Sequence, residues 1–407
     1  MLLKVVKALV AAVGLSLALM GPLVGMAIVV FALASPQQAP LLESALMGVS
    51  FATLGLGLGG PLAWQGIRAL QGYPSAPFRP PRAWLLGLFL ILAIILGQGF
   101  LSLKLAPWLT LPPFHVMAIA IPPACVLAYV GRHLMLAGVR WRDVILQGAS
   151  GAFLSTTAAF ILEGALGLSL ALAVVVIVAL TPSGRAEIEA LIAHLRDPLW
   201  MANTENVYDL LLRPSVALPV ALMVVAVVPL IEELLKPLGV VLLSYRRPTR
   251  AQVWLGGLAC GAGFALAEGL LNTATSADAW GLVVLVRTGA SLMHCLDSGL
   301  MALGWQRLLV ERRPWKLIGA FMVSVTVHAL WNLTAVGMVG VGLTTTDPGA
   351  EELLTALGGL GMMGLLSFLI LLTAGMAGGL VWLTHRLEKG LRSGLCTPSA
   401  GMALLRG

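Results

Sequence analysis

Apolar runs of about 20 residues, the length a helix needs to cross the hydrocarbon core of a bilayer, recur along the chain with short polar breaks between them. They fall near residues 8–34, 45–67, 84–104, 113–131, within a long stretch at 144–181, and then at 215–244, 252–272, 280–306, 317–342 and 354–384. The pattern predicts an all-α protein, a polytopic transmembrane helix bundle of about ten helices. Composition agrees with that class. Of 407 residues, 59% are hydrophobic and 11% charged, against about 25% charged in an ordinary soluble domain.

The net charge of +7 is distributed in a way that reports orientation. Every second connection is basic: Lys4 and Lys7; Arg68, Arg79 and Arg82; Arg132, Arg140 and Arg142; Arg246, Arg247 and Arg250; Arg307, Arg312, Arg313 and Lys316; Arg386, Lys389 and Arg392. The intervening connections, Ser35–Ser44, Thr273–Ala279 and Thr344–Glu352, are nearly devoid of Lys and Arg. The positive-inside rule then predicts both termini in the cytoplasm, in a multi-pass protein of the cell membrane. Lys4 and Lys7 precede an apolar stretch too long for a signal sequence, so an uncleaved first helix is expected.

Four regions follow. Residues 1–181 hold about five membrane helices, and 182–214 form an extracytoplasmic connection in which Ile188, Leu191, Ile192 and Leu195 recur at amphipathic helical spacing. Residues 215–342 carry the chemistry on four spans, and 343–407 hold the last membrane helix and a cytoplasmic tail. Cys125, Cys260, Cys295 and Cys396 are isolated singles without metal-site or redox spacing. Glycines such as Gly257 and Gly261 offer small faces on which membrane helices approach closely.

Ionisable groups at membrane depth are costly and normally functional. The sixth span carries Glu232, Glu233 and Lys236, the seventh Phe264 and Glu268, the eighth Arg287, His294 and Asp297, and the ninth His328 and Asn332. At 1.5 Å per residue, Glu233 lies about 20 Å from Arg246, His294 about 20 Å from Arg307, and His328 about 18 Å from Lys316. Three helices therefore present polar groups at one level. Glu268 and Arg287 lie nearer the other surface, where they are placed to pair. Lys236 follows Glu232 by four residues and so shares its face, whereas Glu233 is turned by about 100°. Pro229 and Pro237 bracket the acidic pair and predict a kinked or divided span. A restart near Pro229 would put both acids in a first helical turn, where the helix dipole favours negative charge.

Glu232-Glu233-Leu-Leu-Lys236, Gly263-Phe264-Ala-Leu-Ala-Glu268, His294 and His328-Ala-Leu-Trp-Asn332 stand in that order on four consecutive spans. They resemble the motifs of PrsW-type intramembrane proteases, and through them the wider group of CAAX-prenyl-protease-like membrane proteins. The resemblance runs from the sixth span through the ninth. It departs at Gly269, where an Asn commonly follows the glutamate; the nearest amide here is Asn272.

The resemblance implies peptide-bond hydrolysis inside the membrane. Glu233 would be the general base or a metal ligand, with Glu232 as its partner oriented by Lys236. His294 and His328 would be zinc ligands or oxyanion donors, Asn332 a supporting donor, and Glu268 a further ligand or the structural partner of Arg287. Two imidazoles and a glutamate suit a catalytic Zn2+ with an open position. A metal-free version, with a glutamate activating water and His294, His328 and Asn332 stabilising the oxyanion, uses the same residues. The implied partners are the lipid bilayer and a membrane-anchored protein or peptide, anti-sigma-factor-like or prenylated. A proton-coupled transporter or channel built on the buried Glu/His cluster is the alternative. Phosphate-loop, dinucleotide and nucleic-acid signatures are missing from the sequence.

Overall fold

A computed structural model describes residues 2–35, 40–197, 200, 203, 206, 210, 213–242, 248–275, 277, 279–345 and 352–393. Arg246, Arg247, Glu205, Asp209, Cys396 and most of the acidic connection before Glu352 lie outside the described residues. Among those described, the regular elements are helical, and nine helices are long and apolar enough to cross a membrane. The protein is an all-α, multi-pass integral membrane protein. The eighth expected span is a 30-residue helix, Trp280–Leu309, which is not among these nine. Arg287 and the buried His294 and Asp297 lower its apolarity.

The chain packs as two compact units, the first made of Met1–Thr157, Glu233–Ser324 and Thr373–Gly407, the second of Ala158–Glu232 and Val325–Leu372. In the first unit, α1 (Leu2–Ala34) lies along α2 (Leu41–Leu54) and α3 (Gly60–Leu70). Glycine permits this approach: a Cβ at Gly21 would stand 2.7 Å from the Cα of Gly55, and one at Gly25 2.2 Å from the carbonyl oxygen of Gly48. Helices α4 (Ala83–Ser102) and α5 (Pro107–His133) form a second pair.

At the centre of this unit is α12 (Arg250–Thr273), buried on nearly every side, as its Gly, Ala, Cys and Leu content allows. Its Gly261 faces α13 (Trp280–Leu309), where an added Cβ would meet the His294 carbonyl oxygen at 2.1 Å. On the other side, α6 (Trp141–Ala149) continues through a wide π turn at Ser150–Ser155 into α7 (Thr156–Val178). There Gly263 meets the Gly148 carbonyl, and Gly151 the Cys260 carbonyl, at Cβ distances of 1.9 and 1.8 Å. Backbone packed on backbone fixes the depth of α12 against both neighbours.

The second unit holds the remainder of α7, the helix α8 (Pro182–Leu195) capped by the Thr181 side chain, and α9 (Pro214–Leu222). Helix α9 runs through a π turn at Met223–Val227 into α10 (Val228–Leu235). It also contains much of α14 (Pro314–Thr345) and the first half of α15 (Glu352–Arg392). The unit boundary falls within α10, between Glu232 and Glu233.

The sixth span is divided, as its prolines predict, but not where the sequence suggests. Helix continues through Pro229, is widened just before it, and breaks at Lys236–Pro237 before α11 (Leu238–Leu242). Pro237 lacks an amide hydrogen, and in a continued helix its ring would crowd the carbonyl of Glu233. Glu232 and Glu233 consequently occupy the last turn of α10 rather than a first turn. The dipole there disfavours their charge, so compensation must come from side chains.

Candidate active site

The first unit supplies one carboxylate and one imidazole. Glu233 and His294 are both buried and offer ligand atoms within 4.8 Å of one another. Lys236 Nζ donates to Glu233 Oε1 at 2.5 Å, with both side chains fully excluded from solvent. The helix ends at Leu235, so the lysine lies just beyond it and reaches three residues back to Glu233. Lys236 is held at two further points. Its ammonium lies 4.9 Å from the ring centroid of Phe264, and Ser155 Oγ donates to its backbone carbonyl at 3.2 Å.

His294 is held by Glu268. Its Nε2 lies 2.8 Å from Glu268 Oε2, and Arg287 donates to Oε1 of the same carboxylate at 2.7 Å. The expected Glu268–Arg287 pairing across two helices is present. Asn272 donates to Glu268 Oε1 at 3.2 Å, one turn away on α12, and so supplies the amide contact that Gly269 cannot. A carboxylate engaged on the far side of an imidazole fixes the tautomer and orientation of a ligating histidine. Phe264 touches the site twice, its ring also lying 5.4 Å from that of His294. Asp297 is fully buried one turn along α13, and the charged groups facing it are Glu233 and Lys236.

The second unit supplies another such pair, Glu232 Oε2 standing 3.8 Å from His328 Nε2 with both residues buried. Asn332 lies one turn beyond His328 on α14. Its amide nitrogen donates to the Val224 carbonyl at 2.9 Å. The register explains why. In the π turn the Val228 amide bonds the Met223 carbonyl, so the Val224 carbonyl would be served by residue 229, and Pro229 has no amide hydrogen. Asn332 takes its place and props the wide turn one helical turn before Glu232. Asn332→Leu should therefore lower stability by about 1–3 kcal/mol, the cost of a part-buried carbonyl left unmade. A thermal melt checks this; an unchanged Tm would remove the propping role.

Carboxylate oxygens and imidazole nitrogens, all buried, are the donor types that suit a divalent ion such as zinc. Each unit carries one of each type, and the two carboxylates belong to consecutive residues. The sequence alone could not reveal Asn332's partner or the part of Ser155 and Phe264, because neither the π turn nor the break after Leu235 has a polar periodicity in an apolar run.

Residues 140–372 match the family model described as PrsW family intramembrane metalloprotease. The match begins earlier than the four motif-bearing spans, at α6, whose Gly148 packs on Gly263 of α12. Comparison with curated proteins and with solved structures gives no match.

Proposed function

Because the chain belongs to the PrsW family of intramembrane metalloproteases, we propose that its two carboxylate–imidazole pairs serve a single zinc-dependent centre. This membrane-embedded peptidase would there hydrolyse peptide bonds of membrane-anchored proteins. The observation that carries the reading is the pairing itself: Glu233 with His294, Glu232 with His328, and one peptide bond joining the two acids.

His294, His328 and a carboxylate of the acidic pair would hold the ion. When bound, a divalent ion there supplies Lewis acidity toward the scissile carbonyl and toward water. The rest falls to the chain's own side chains. Glu268 engages Nε2 of His294, an outer contact of the kind that orients a ligating imidazole. Glu233 takes the proton from water at a carboxylate oxygen and passes it to the leaving amine. Lys236 holds that carboxylate through Oε1 and offsets its charge at a helix end where the dipole does not. Glu268, locked by Arg287 and Asn272, keeps the His294 ring from turning. Asn332 is a positioning residue, acting through the Val224 carbonyl on the turn that carries Glu232.

The substrate is a protein anchored in the same membrane, and the charge pattern favours a cell-membrane protein with both termini cytoplasmic. Proteomic comparison of membrane fractions containing wild type or Glu233→Gln tests the reading. A membrane protein shortened only by the wild type is expected. Identical fragments in both fractions would remove Glu233 from the chemistry.

A further inference from the structure

A second group of metal-type donors lies in the first unit, where α5 and α15 end, and the proteolytic reading makes no use of it. His133 Nδ1 stands 2.8 Å from Glu388 Oε2, and His385 Nδ1 stands 3.3 Å from the same oxygen. Two imidazole nitrogens, from different helices, thus converge on one carboxylate oxygen, and the ligand atoms of the three residues all lie within 4.8 Å of one another. His385 and Glu388 are three residues apart on α15, a spacing that places both on one face. His133 is the last residue of α5, itself a span of 27 residues. Two rigid helices therefore set the geometry, without a loop.

The surroundings are those of a ligand set. Glu388 has its other oxygen, Oε1, bound by Arg392 at 2.5 Å, which leaves Oε2 directed at the histidines. His385 has its far nitrogen, Nε2, 3.4 Å from the Tyr129 hydroxyl, the outer contact that fixes which nitrogen ligates. The two imidazole rings meet edge to face at 4.7 Å. Glu388 is 13% exposed, whereas His133 and His385 are 31% and 46% exposed, so the carboxylate forms the floor and solvent can reach the open side.

We propose that His133, His385 and Glu388 form a second, peripheral binding site for a divalent transition-metal ion of the zinc class, which staples the end of α15 to the end of α5. Two neutral imidazoles and one carboxylate are a three-ligand zinc set with room for solvent at the fourth position. By the charge pattern this end of the bundle, marked by Arg132, Arg386 and Lys389, is expected to face the cytoplasm.

The test uses the full chain in detergent, stripped with a chelator, re-exposed to Zn2+ and desalted before metal analysis. In the Glu233→Gln/His328→Ala background one zinc equivalent should remain, and adding His385→Gln should remove it. In the otherwise unaltered chain, His133→Gln and Glu388→Gln should each lower bound zinc by one equivalent, so the result does not depend on the core variant folding. Zinc should raise the Tm of the background and leave that of the His385→Gln variant unmoved. Tyr129→Phe should weaken zinc binding by about 10-fold. Zinc content unaffected by His385→Gln and His133→Gln overturns the proposal. So does Glu388→Gln lowering the Tm equally with and without zinc, which would make the cluster an ion-pair network alone.

Discussion

Glu233→Gln is expected to lower kcat by about 10²- to 10⁴-fold, the range for losing a positioned general base, with KM little changed. The same substitution leaves Lys236 facing a neutral amide in a place where neither side chain reaches solvent. Breaking a buried ion pair from one side costs about 3–5 kcal/mol, so lost stability could mimic lost chemistry. The double variant Glu233→Gln/Lys236→Met separates the two. It removes both charges together and should recover most of the Tm while activity stays low. Steady-state kinetics on the substrate identified by proteomics, beside thermal melts of all three proteins, check this. Recovery of activity in the double variant would show that Glu233 is a structural partner of Lys236 and not the base.

Gly261→Val should be nearly as damaging although residue 261 has no chemistry. A Cβ there would stand 2.1 Å from the His294 carbonyl oxygen and 2.8 Å from the Cα of Cys295. Both are backbone, so no rotamer change relieves the overlap and α12 must move away from α13. Glu268 rides on the first of these helices and His294 on the second, and their 2.8 Å contact crosses that interface. A displacement of about 1 Å is enough to cost roughly 10²-fold in rate, and overpacking of this kind costs about 1–3 kcal/mol or more. Gly319→Ala is the control, since a Cβ at Gly319 meets nothing within 4 Å. Wild-type activity and Tm in Gly261→Val would show that the contact tolerates separation.

Much of this architecture is written in the one-dimensional pattern. Apolar runs bounded by arginines locate the spans, and polar residues within four of them locate the site. The Glu268–Arg287 pair was legible because both residues lie at the same height on consecutive helices. What escaped depends on small departures from ideal helix geometry. The close Lys236–Glu233 pair forms at a helix end that Pro237 sets at Leu235. The task of Asn332 follows from a five-residue π turn in Met-Val-Val-Ala-Val, a segment with no polar residue to mark its register. The close approach of Gly148 to Gly263, within the early part of the family match, is likewise silent in sequence. The cluster of His133, His385 and Glu388 joins positions more than 250 apart, beyond the reach of any local pattern.

The central claim is that both carboxylate–imidazole pairs serve one ion. Zinc content of the purified chain, with the peripheral cluster removed by His133→Gln/His385→Gln, tests it most directly. The account predicts one zinc equivalent, lost when His294→Ala is added and lost equally when His328→Ala is added. Retention of that equivalent in either variant, with the protein folded, would contradict it.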